Sequence, residues 1–426
     1  MLNKNTILKS DTGIEYRVIS LISSGTGQGD IYKVSSDGTD YALKLFHGEN
    51  EVELLRQIQA LIKRGKACSA YITPVDIVNH SGGIGYIMEY VPETYLSGSV
   101  LYNGIDCGEY REALPFHTKL SVLYNIAEAM SVLDKANLAM MDLKFDNLKI
   151  NPSDSSIKII DTDTIVRSEN GHCFIEGTVG FMPPLTMLRK ESPTKYNDYF
   201  ALAVIIFMTL VGSHPLLGRA GDRVTNCDSE TYMLAEHPVY VWHPNDDSNR
   251  PVESDYFTEI KLTKYPDAFL SAMKRTFVDG LFEKENRTSP EEWCEILRNI
   301  YESSYCCTEC GEEHFIAQSS DTSRCDICGS ELIKPLLAVG DKAIPLFLGN
   351  NISDGELWND ILHSKSFCKV SNTAYSGKYG LMVESGAIKL KLPDGATIEF
   401  NKGKIVPLFL DGIYEYNTKE FTLMEV

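Results

Sequence analysis

Two neighbouring stretches decide the fold: MMDLKFDNLKI at residues 140–150 and IKIIDTDTI at residues 157–165. In the first stretch, Asp142 is followed by Lys144 and then by Asn147. In the second, an apolar strand-like run ends at Asp161, and Asp163 comes two residues later. This order of residues becomes specific only together with the segments that precede and follow it.

Length and composition describe an ordinary globular protein of two or three domains. The chain has 426 residues, of which 43% are hydrophobic and 23% charged, and its formal net charge is −19. This charge argues against broad binding to nucleic acid or to an anionic membrane. The apolar run at 201–211 is about half of what spans a bilayer, and the N-terminus has no signal-peptide core. Eleven cysteines without an export signal indicate a reducing, cytoplasmic location.

Residues 13–92 alternate short strand-like runs with turns, and one amphipathic helix, NEVELLRQIQALIKRG, interrupts them before Gly65. From about residue 117 the pattern turns helical, and NDYFALAVIIFMTLVG predicts a buried helix because it is apolar nearly all round. Helical pattern resumes at 265–302. Residues 336–426 return to strands and turns, with a hairpin predicted at Asp394-Gly395.

A glycine-rich turn, SSGTGQGDIYKV at residues 23–34, lies between two strand-like runs. Its glycines would let the backbone approach phosphates closely, although such turns are also common in ordinary hairpins. The following strand, YALKLF, carries Ala42 and Lys44. A lysine behind a glycine-rich turn can reach the α- and β-phosphates of a nucleotide; the alternative is an exposed strand lysine.

The whole order resembles the protein kinase family over roughly residues 10–300: glycine-rich turn, Ala-x-Lys, helix, YIMEYV at 86–91, and the two deciding stretches. This resemblance implies an α+β, bilobal kinase-like fold. Its lobes would be residues 1–91 and 92–303, followed by a four-cysteine zinc ribbon at 304–335 and a small all-β module at 336–426.

The resemblance also implies roles for matching residues. Lys44 would anchor the phosphates of ATP, Asp142 would be the catalytic base, and Lys144 would neutralise the transferred phosphoryl group. Asn147 and Asp161 would hold Mg²⁺, with Mn²⁺ as a possible substitute, and Asp163 could join them. Further matches are the activation-segment residue Thr178, the buried helix residue Asp198 and the structural Arg287. The remaining nucleotide-site predictions are Gly25, Gly27, Gly29, Ile31, Ala42, Glu53 as the partner of Lys44 (with Glu51 as rival), Met88, Glu89 and Val91.

Several residues depart from the family pattern. Met140-Met141 replace His-Arg, Asp161-Thr162-Asp163 replace Asp-Phe-Gly, and Pro183-Pro184-Leu185 replace Ala-Pro-Glu. The set that carries the chemistry is nevertheless complete, which favours an active enzyme. The alternatives are a pseudokinase scaffold that binds nucleotide or a partner without transfer, and a small-molecule or lipid kinase suggested by the Asp-x-Asp motif.

Four of the cysteines form two C-x-x-C-G turns separated by 14 residues: Cys307, Cys310, Cys325 and Cys328. This spacing is a strong signature of a tetrahedral, structural zinc site. Disulfides and redox-active thiols are weaker alternatives. With this net charge, a protein-docking or bracing role is favoured over nucleic-acid binding.

A narrower resemblance rests on IIDTDTI, SHPLLGR, VWHPNDDSNRPV and the four-cysteine ribbon. The chain is similar to bacterial eukaryotic-like Ser/Thr kinases, in particular to the kinase of the tellurite-resistance-associated phosphorylation triad. This implies a signalling, stress or defence role, a protein substrate, and as partners a metal-dependent Ser/Thr phosphatase and a von Willebrand type A protein. The all-β module is loosely reminiscent of forkhead-associated modules; a packing or dimerisation module is the alternative.

Overall fold

The computed structural model describes most of the chain. The described residues are 2–26, 29–46, 51–80, 83–102, 114–168, 177–223, 229–251, 265–307, 309–310, 313–315, 324–325, 327–330, 335–340, 342–346, 351–355, 365–372, 379–410 and 412–425. Among these residues no helix is long and apolar enough to cross a membrane.

The N-terminal part is a six-stranded antiparallel sheet in the order β1-β2-β3-β4-β6-β5. A bridge between Ser10 and Val78, and a hydrogen bond from Asp11 N to Ile77 O (2.9 Å), join its two outer strands. The N-terminal strand therefore closes the sheet toward a barrel and covers the edge of β5. The strands are β1 Ile7–Lys9, β2 Glu15–Thr26, β3 Gly29–Ser36, β4 Thr39–Phe46, β5 Pro74–His80 and β6 Gly83–Glu89.

The sheet has an apolar core on each face because its strands alternate their side chains. One core lies inside the barrel and includes Val34, Leu43 and Ile87. The other lies under helix α1 (Glu51–Arg64) and includes Ile58. The predicted helix is confirmed, and it ends at Gly65, whose φ of +75° suits a helix terminus.

A buried carboxylate, Asp76, links the closing strand to the sheet. Its Oδ2 accepts hydrogen bonds from Thr12 Oγ1 (2.6 Å) and Tyr16 OH (3.4 Å). Burial, together with the charge of Asp76, raises the pKa of Tyr16 to about 12. This network stabilises the closed arrangement, because each polar group in it has a partner.

The middle part of the chain is helical and contains the largest core. Helix α4 (Lys195–Val211) is buried along almost its whole length, as predicted, and it ends at Gly212 in the left-handed conformation. In the predicted region 265–302, the structure has two helices with a π-helical segment, Arg275–Asp279, after the first. The helices are α2 Phe116–Lys135, α3 Pro184–Met187, α4 Lys195–Val211, α5 Ser229–Thr231, α6 Asp267–Lys274 and α7 Pro290–Ser303.

Five short strands support the deciding stretches of the sequence. The hairpin of β9 (Leu148–Ile150) and β10 (Ile157–Ile159) connects them directly. In β10, the main-chain carbonyl of Ile159 also accepts a hydrogen bond from Ile72 N at 2.9 Å. This contact joins the N-terminal sheet to the helical part beside Asp161. The strands are β7 Leu96–Ser97, β8 Leu138–Ala139, β9 Leu148–Ile150, β10 Ile157–Ile159 and β11 Val166–Arg167.

The C-terminal part is a β-sandwich of a six-stranded sheet (β15-β14-β23-β22-β19-β20) and a four-stranded sheet (β16-β17-β18-β21). The predicted hairpin at Asp394-Gly395 is present as β19–β20. Tyr301 packs against both the sandwich core and the helical core. The strands, including the hairpin β12–β13 of the cysteine-rich segment, are β12 Ser304–Cys306, β13 Glu313–Phe315, β14 Pro335–Val339, β15 Lys342–Pro345, β16 Asn351–Ser353, β17 Ser366–Asn372, β18 Tyr379–Val383, β19 Ala387–Lys391, β20 Thr397–Asn401, β21 Ile405–Pro407, β22 Ile413–Tyr416 and β23 Lys419–Glu425.

Candidate active site

Asp142 lies at the centre of a compact polar cluster. Its Oδ2 is 2.9 Å from Lys144 Nζ, and its Oδ1 accepts a hydrogen bond of 2.6 Å from the hydroxyl of Thr178. Lys144 also donates to Thr178 Oγ1 at 2.9 Å. Asn147 donates to the main-chain carbonyl of Asp142 at 2.8 Å. The structure thus holds a carboxylate, a lysine and a hydroxyl in mutual contact at the predicted positions.

The backbone before Asp142 is fixed by Asp198 on helix α4. Asp198 accepts hydrogen bonds from the amides of Met140 (2.6 Å) and Met141 (2.9 Å). Met141 has a φ of +68°, a strained conformation for a residue with a side chain, and these two bonds hold it. Burial raises the pKa of Asp198 to about 7, although the two amides lower it. The side chain of Met140 is fully buried in the helical core, where it fills the expected apolar gap.

Lys44 connects the N-terminal sheet with the second deciding stretch. Its Nζ is 3.0 Å from Asp161 Oδ1 and 3.0 Å from Asp163 Oδ2. Burial alone would lower the pKa of Lys44, but Asp163 and Asp161 raise it above its ordinary value. Asp161 adopts the left-handed conformation, with a φ of 53°. The amide of Ile160, directly before Asp161, donates to the main-chain carbonyl of Asn147 at 2.9 Å, so this stretch also adjoins the cluster around Asp142.

The donor set fits a divalent cation and a phosphate group. The side chain of Asp161, which contacts Lys44, is 32% exposed, so its carboxylate is partly accessible to solvent. Asn147 is buried, and its side-chain amide donates to Asp142 Oδ2 at 3.3 Å. Carboxylate and amide oxygens are the ligands that Mg²⁺ prefers, and a lysine ammonium suits phosphate oxygens.

Most of the predicted nucleotide-binding residues lie on several strands of the N-terminal sheet, and one lies on helix α1. Gly29 begins strand β3, and a Cβ there would lie 2.1 Å from Leu45 O, so only glycine fits. Ala42 and Met88 are buried cross-strand partners, and Ile31 pairs with Lys44. Val91 packs against the core under α1. Gly25 is on strand β2, while Gly27 and the side chain of Glu53 on α1 lie outside the described residues.

The side chain of Glu89 is held by two lysines. Lys158 Nζ is 2.9 Å from its Oε1, and Lys66 bonds its other carboxylate oxygen. Burial opposes ionisation of Glu89, but the hydrogen bonds from Lys66 and Lys158 lower its pKa. A contribution of Glu89 to a nucleotide would therefore come from its main chain.

With this geometry in place, comparison with known proteins decides the family. The protein kinase domain matches residues 16–299 of the chain. The chain belongs to the protein kinase family. This confirms the predicted family and the kinase-like fold.

Three similar proteins agree with the family. The chain is 28% identical over 191 residues to a probable cAMP-dependent protein kinase catalytic subunit of Encephalitozoon cuniculi, covering 45% of this chain and 54% of that one. It is 26% identical over 192 residues to the serine/threonine-protein kinase CTR1 of Arabidopsis thaliana, covering 42% of this chain and 22% of that one. The chain thus spans about half of the first relative and less of the second. The autoinhibited serine kinase domain of the giant muscle protein titin shares the fold, with a TM-score of 0.50, 14% identity, and coverage of 68% of this chain and 80% of that one.

The segment that contains Thr178 is held by a hydrogen bond to the buried side chain of His214. The amide of Leu216 donates to His214 Nδ1 at 3.1 Å, so the ring proton is on Nε2, which donates to Gly180 O at 2.9 Å. Gly180 adopts a φ of +87° two residues after Thr178. Burial lowers the pKa of His214 to about 4, and the imidazole is neutral at physiological pH.

The neutrality of His214 predicts an acid-sensitive fold. Its pKa is about 4 in the folded protein and about 6.5 when unfolded, so the unfolded state binds more protons between these values. Stability therefore falls as pH falls through this window. Between pH 7.5 and pH 5.0 we expect the free energy of unfolding of the wild-type protein to fall by about 2 kcal/mol more than that of a His214→Gln variant. Urea unfolding of both proteins at both pH values measures this difference. An equal fall in the two proteins would contradict the neutral state of His214.

Two sequence motifs of the narrower resemblance, SHPLLGR and HPNDDSNRP, prove to be one structural unit. Asn249, fully buried, donates to Leu216 O (3.0 Å) and Val239 O (2.6 Å). A Cβ on Gly218 would lie 2.2 Å from Asn249 O. The two motifs therefore require each other, and together they support His214.

Arg287, predicted to be structural, is almost completely buried. It donates to the main-chain carbonyls of Gly280 (2.8 Å), Tyr196 (3.0 Å) and Leu281 (3.4 Å). Burial lowers its pKa to about 10. Leu185 has no carboxylate to offer this guanidinium, and these three main-chain carbonyls accept its hydrogen bonds.

The four predicted cysteines lie together. Cys307 Sγ is 3.5 Å from Cys328 Sγ, Cys310 Sγ is 3.6 Å from Cys325 Sγ, and all four sulfurs lie within 4.8 Å of one another. A zinc ion at about 2.3 Å from four thiolates requires sulfur–sulfur distances of about 3.8 Å. The arrangement fits a tetrahedral metal site, and in it the four cysteines are unbonded to one another.

The sequence reasoning missed two contacts of the active site. Gln57 on α1 donates from its side-chain amide to the main-chain carbonyl of Asp163. Thr162, in place of the usual phenylalanine, donates to Ile72 O at 2.6 Å. Neither contact has a signal in the sequence, since both depend on how the helix and the sheet are placed.

Proposed function

We propose that the chain is an ATP- and Mg²⁺-dependent Ser/Thr protein kinase that transfers the γ-phosphate to a protein hydroxyl. The observation that carries this proposal is the contact between Asp142 and the Thr178 hydroxyl, with Lys144 bound to both. It supports the role of Asp142 as an acceptor for a hydroxyl proton. The Ser/Thr kinases among the relatives support the same class.

In this proposal each residue has one task. Asp142 accepts the proton of the attacking hydroxyl and orients it, while Lys144 offsets the charge of the phosphoryl group. Lys44 binds phosphate oxygens of the nucleotide. Asn147 and Asp161 would hold Mg²⁺, or Mn²⁺ in its place, and the bound ion would neutralise phosphate charge.

The nucleotide would lie against the strands of the N-terminal sheet. Gly25, Gly27 and Gly29 would let the backbone approach the phosphates, and Glu53 would contribute from α1. The base would lie beside Ala42, Met88 and the main chain from Glu89 to Val91. We also propose the predicted division into two kinase lobes (1–91 and 92–303), a zinc ribbon (304–335) and an all-β module (336–426).

The alternative is a pseudokinase scaffold that binds nucleotide or a partner without transfer, since Met140-Met141 and Asp161-Thr162-Asp163 depart from the family pattern. The ordered contact of Thr178 with Asp142 favours the active enzyme, because a scaffold does not need it. A small-molecule or lipid kinase would use the same phosphate site, but the Thr178 segment suits a polypeptide.

We also propose a structural Zn²⁺ held by Cys307, Cys310, Cys325 and Cys328. All four positions would be filled by thiolates, which excludes a catalytic water site. Hydrogen bonds from Ser330 lower the pKa of the Cys328 thiol to about 6, which favours the thiolate that zinc requires.

Purified protein is expected to contain about one zinc ion per chain, because the four-thiolate site is complete. Cys325→Ser should lose this zinc and become sensitive to protease within residues 304–335, since structural zinc supplies folding energy. Metal analysis by mass spectrometry and limited trypsin digestion measure both effects. Cys68→Ser, outside the ribbon, is the matched control; the same zinc content in Cys325→Ser would contradict the site.

The narrower resemblance supports a bacterial kinase that phosphorylates a protein substrate in signalling, stress or defence. The cysteine content supports a cytoplasmic location, and the net charge of −19 argues against nucleic-acid or membrane partners. A metal-dependent Ser/Thr phosphatase and a von Willebrand type A protein would be the functional partners. The β-sandwich would serve in docking or packing.

Binding and transfer are tested as separate steps. Thermal shift with Mg·ATP reports nucleotide binding, and phosphopeptide mapping after incubation with a generic protein acceptor reports the modified residue. We expect a nucleotide-dependent shift and phosphate on serine or threonine. A shift with unmodified protein would favour the scaffold, and label in small molecules or lipid alone would favour the third class.

A further inference from the structure

The second aspartate of the Asp-Thr-Asp segment has an unusual position. Asp163 Oδ2 is 3.0 Å from Lys44 Nζ, and Lys44 is itself almost completely buried. The contact is as short as the one between Lys44 and Asp161. Asp161 and Asp163, from one three-residue segment, therefore both form ion pairs with Lys44 of the sheet.

The two aspartates differ in their exposure to solvent. The side chain of Asp161 is 32% exposed, whereas that of Asp163 is 8% exposed. The Oδ1 atom of Asp163 is enclosed, without a hydrogen-bond partner among the described residues. A ligand of a hydrated Mg²⁺ needs room for the waters that the ion keeps, and Asp161 has that room while Asp163 does not.

Asp163 is also fixed from the helix side. The side-chain amide of Gln57 on α1 donates to its main-chain carbonyl. Gln57 thereby connects α1 to Asp163, which forms an ion pair with Lys44. Helix, lysine strand and metal-binding segment are joined at Asp163.

We propose that Asp163 is a positioning residue for Lys44, and that Gln57 and Asp163 together couple α1 to the phosphate-binding lysine. This inference rests on the proposed kinase function for its kinetic consequence. It assigns metal binding to Asn147 and Asp161, and it removes Asp163 from the metal ligands that the sequence suggested. Any contact of Lys44 with Glu53 would add to this arrangement and would not replace it.

The kinetic consequence follows from geometry. If Asp163 holds Lys44, its loss moves the ammonium relative to the phosphates, and misplacement of about 1 Å can cost about a hundredfold in rate. The Mg²⁺ requirement would stay the same, because the metal ligands are untouched. If Asp163 were a metal ligand, its loss would raise the Mg²⁺ concentration needed for half-maximal rate.

The first experiment observes Lys44 directly, without nucleotide or activity. A buried ammonium held by two carboxylates exchanges its protons slowly, so it should give a ¹H–¹⁵N signal that disappears in Lys44→Arg. We expect Asp163→Asn to lose or strongly broaden this signal. Asp40→Asn is the matched control, since Asp40 pairs with Lys33 at 2.8 Å on the exposed surface of the same sheet.

The second experiment separates the two roles kinetically. We expect Asp163→Asn to lower kcat about a hundredfold at unchanged Mg²⁺ half-saturation, and Asp161→Asn to raise the Mg²⁺ requirement. Asp163→Ser serves as a second variant should asparagine not be tolerated in the fold. A retained Lys44 signal together with a raised Mg²⁺ requirement in Asp163→Asn would overturn the proposal.

The Lys44 signal and the activity of the wild-type protein test the positioning role and the kinase function independently. If the wild-type protein transfers no phosphate and Asp163→Asn still loses the Lys44 signal, the kinase function fails while the positioning role of Asp163 stands. If wild type is active and Asp163→Asn keeps both the Lys44 signal and the rate, the positioning role fails alone.

Discussion

Replacing Asp142 by asparagine is expected to lower the rate of phosphoryl transfer about a thousandfold. Asparagine has the same shape, so contacts of the side chain with Asn147 and Thr178 can persist. It cannot accept the proton of an attacking hydroxyl, however, and it no longer attracts Lys144, whose Nζ is 2.9 Å from Asp142 Oδ2. Initial rates at saturating Mg·ATP and acceptor measure the effect.

The matched control for this variant is Asp154→Asn. Asp154 lies in the turn of the β9–β10 hairpin and accepts a hydrogen bond from Ser156 N at 2.9 Å, away from the cluster around Asp142. The rate of phosphoryl transfer by Asp154→Asn should stay close to that of wild type. A rate in Asp142→Asn within tenfold of wild type would show that another group accepts the proton.

The second large effect concerns stability. Asp198→Ala removes the acceptor of two buried amides, those of Met140 and Met141. Each unsatisfied buried amide costs about 1–3 kcal/mol, so we expect the free energy of unfolding to fall by about 3 kcal/mol or more. Activity should fall as well, because Met141 holds a strained φ of +68° directly before Asp142.

Urea unfolding with a constant m-value measures this destabilisation. Asp198→Asn is the informative companion, since its amide oxygen can still accept one of the two bonds. We expect it to lie between wild type and Asp198→Ala. Equal stability of wild type and Asp198→Ala would mean that these hydrogen bonds are not what holds the loop.

Local patterns in the sequence predicted the local structure well. The amphipathic spacing before Gly65 gave helix α1, and the apolar run around residues 201–211 gave a buried helix, because burial follows the distribution of apolar side chains. The Asp394-Gly395 pair gave its hairpin because glycine supplies the positive φ, here +85°, that such turns require.

The family order of motifs predicted which segments meet in the site. Lys44 and Asp161 are 117 residues apart in sequence and 3.0 Å apart in the structure. No periodicity or turn rule specifies such a pairing. It was predictable because several weak motifs occur in one order that a single fold explains.

Other contacts could not be predicted because they depend on tertiary placement. The sequence places Asp163 beside the metal ligand Asp161, but it gives no sign that Asp163 contacts Lys44 or that Gln57 donates to the main-chain carbonyl of Asp163. The closure of the sheet by Ser10 and Val78 joins strands at opposite ends of its order. Likewise, the sequence does not show that Asn249 connects SHPLLGR with HPNDDSNRP, because this contact depends on the tertiary fold.

The most direct test of the central claim is Mg²⁺-dependent transfer of labelled γ-phosphate from ATP to protein. Wild type, Asp142→Asn and Asp161→Asn are incubated alone and with a generic protein acceptor, and labelled serine and threonine are counted. We predict label in wild type that needs Mg²⁺ and that either substitution abolishes. Nucleotide binding without any label in wild type, or label of equal amount in all three proteins, would contradict the account.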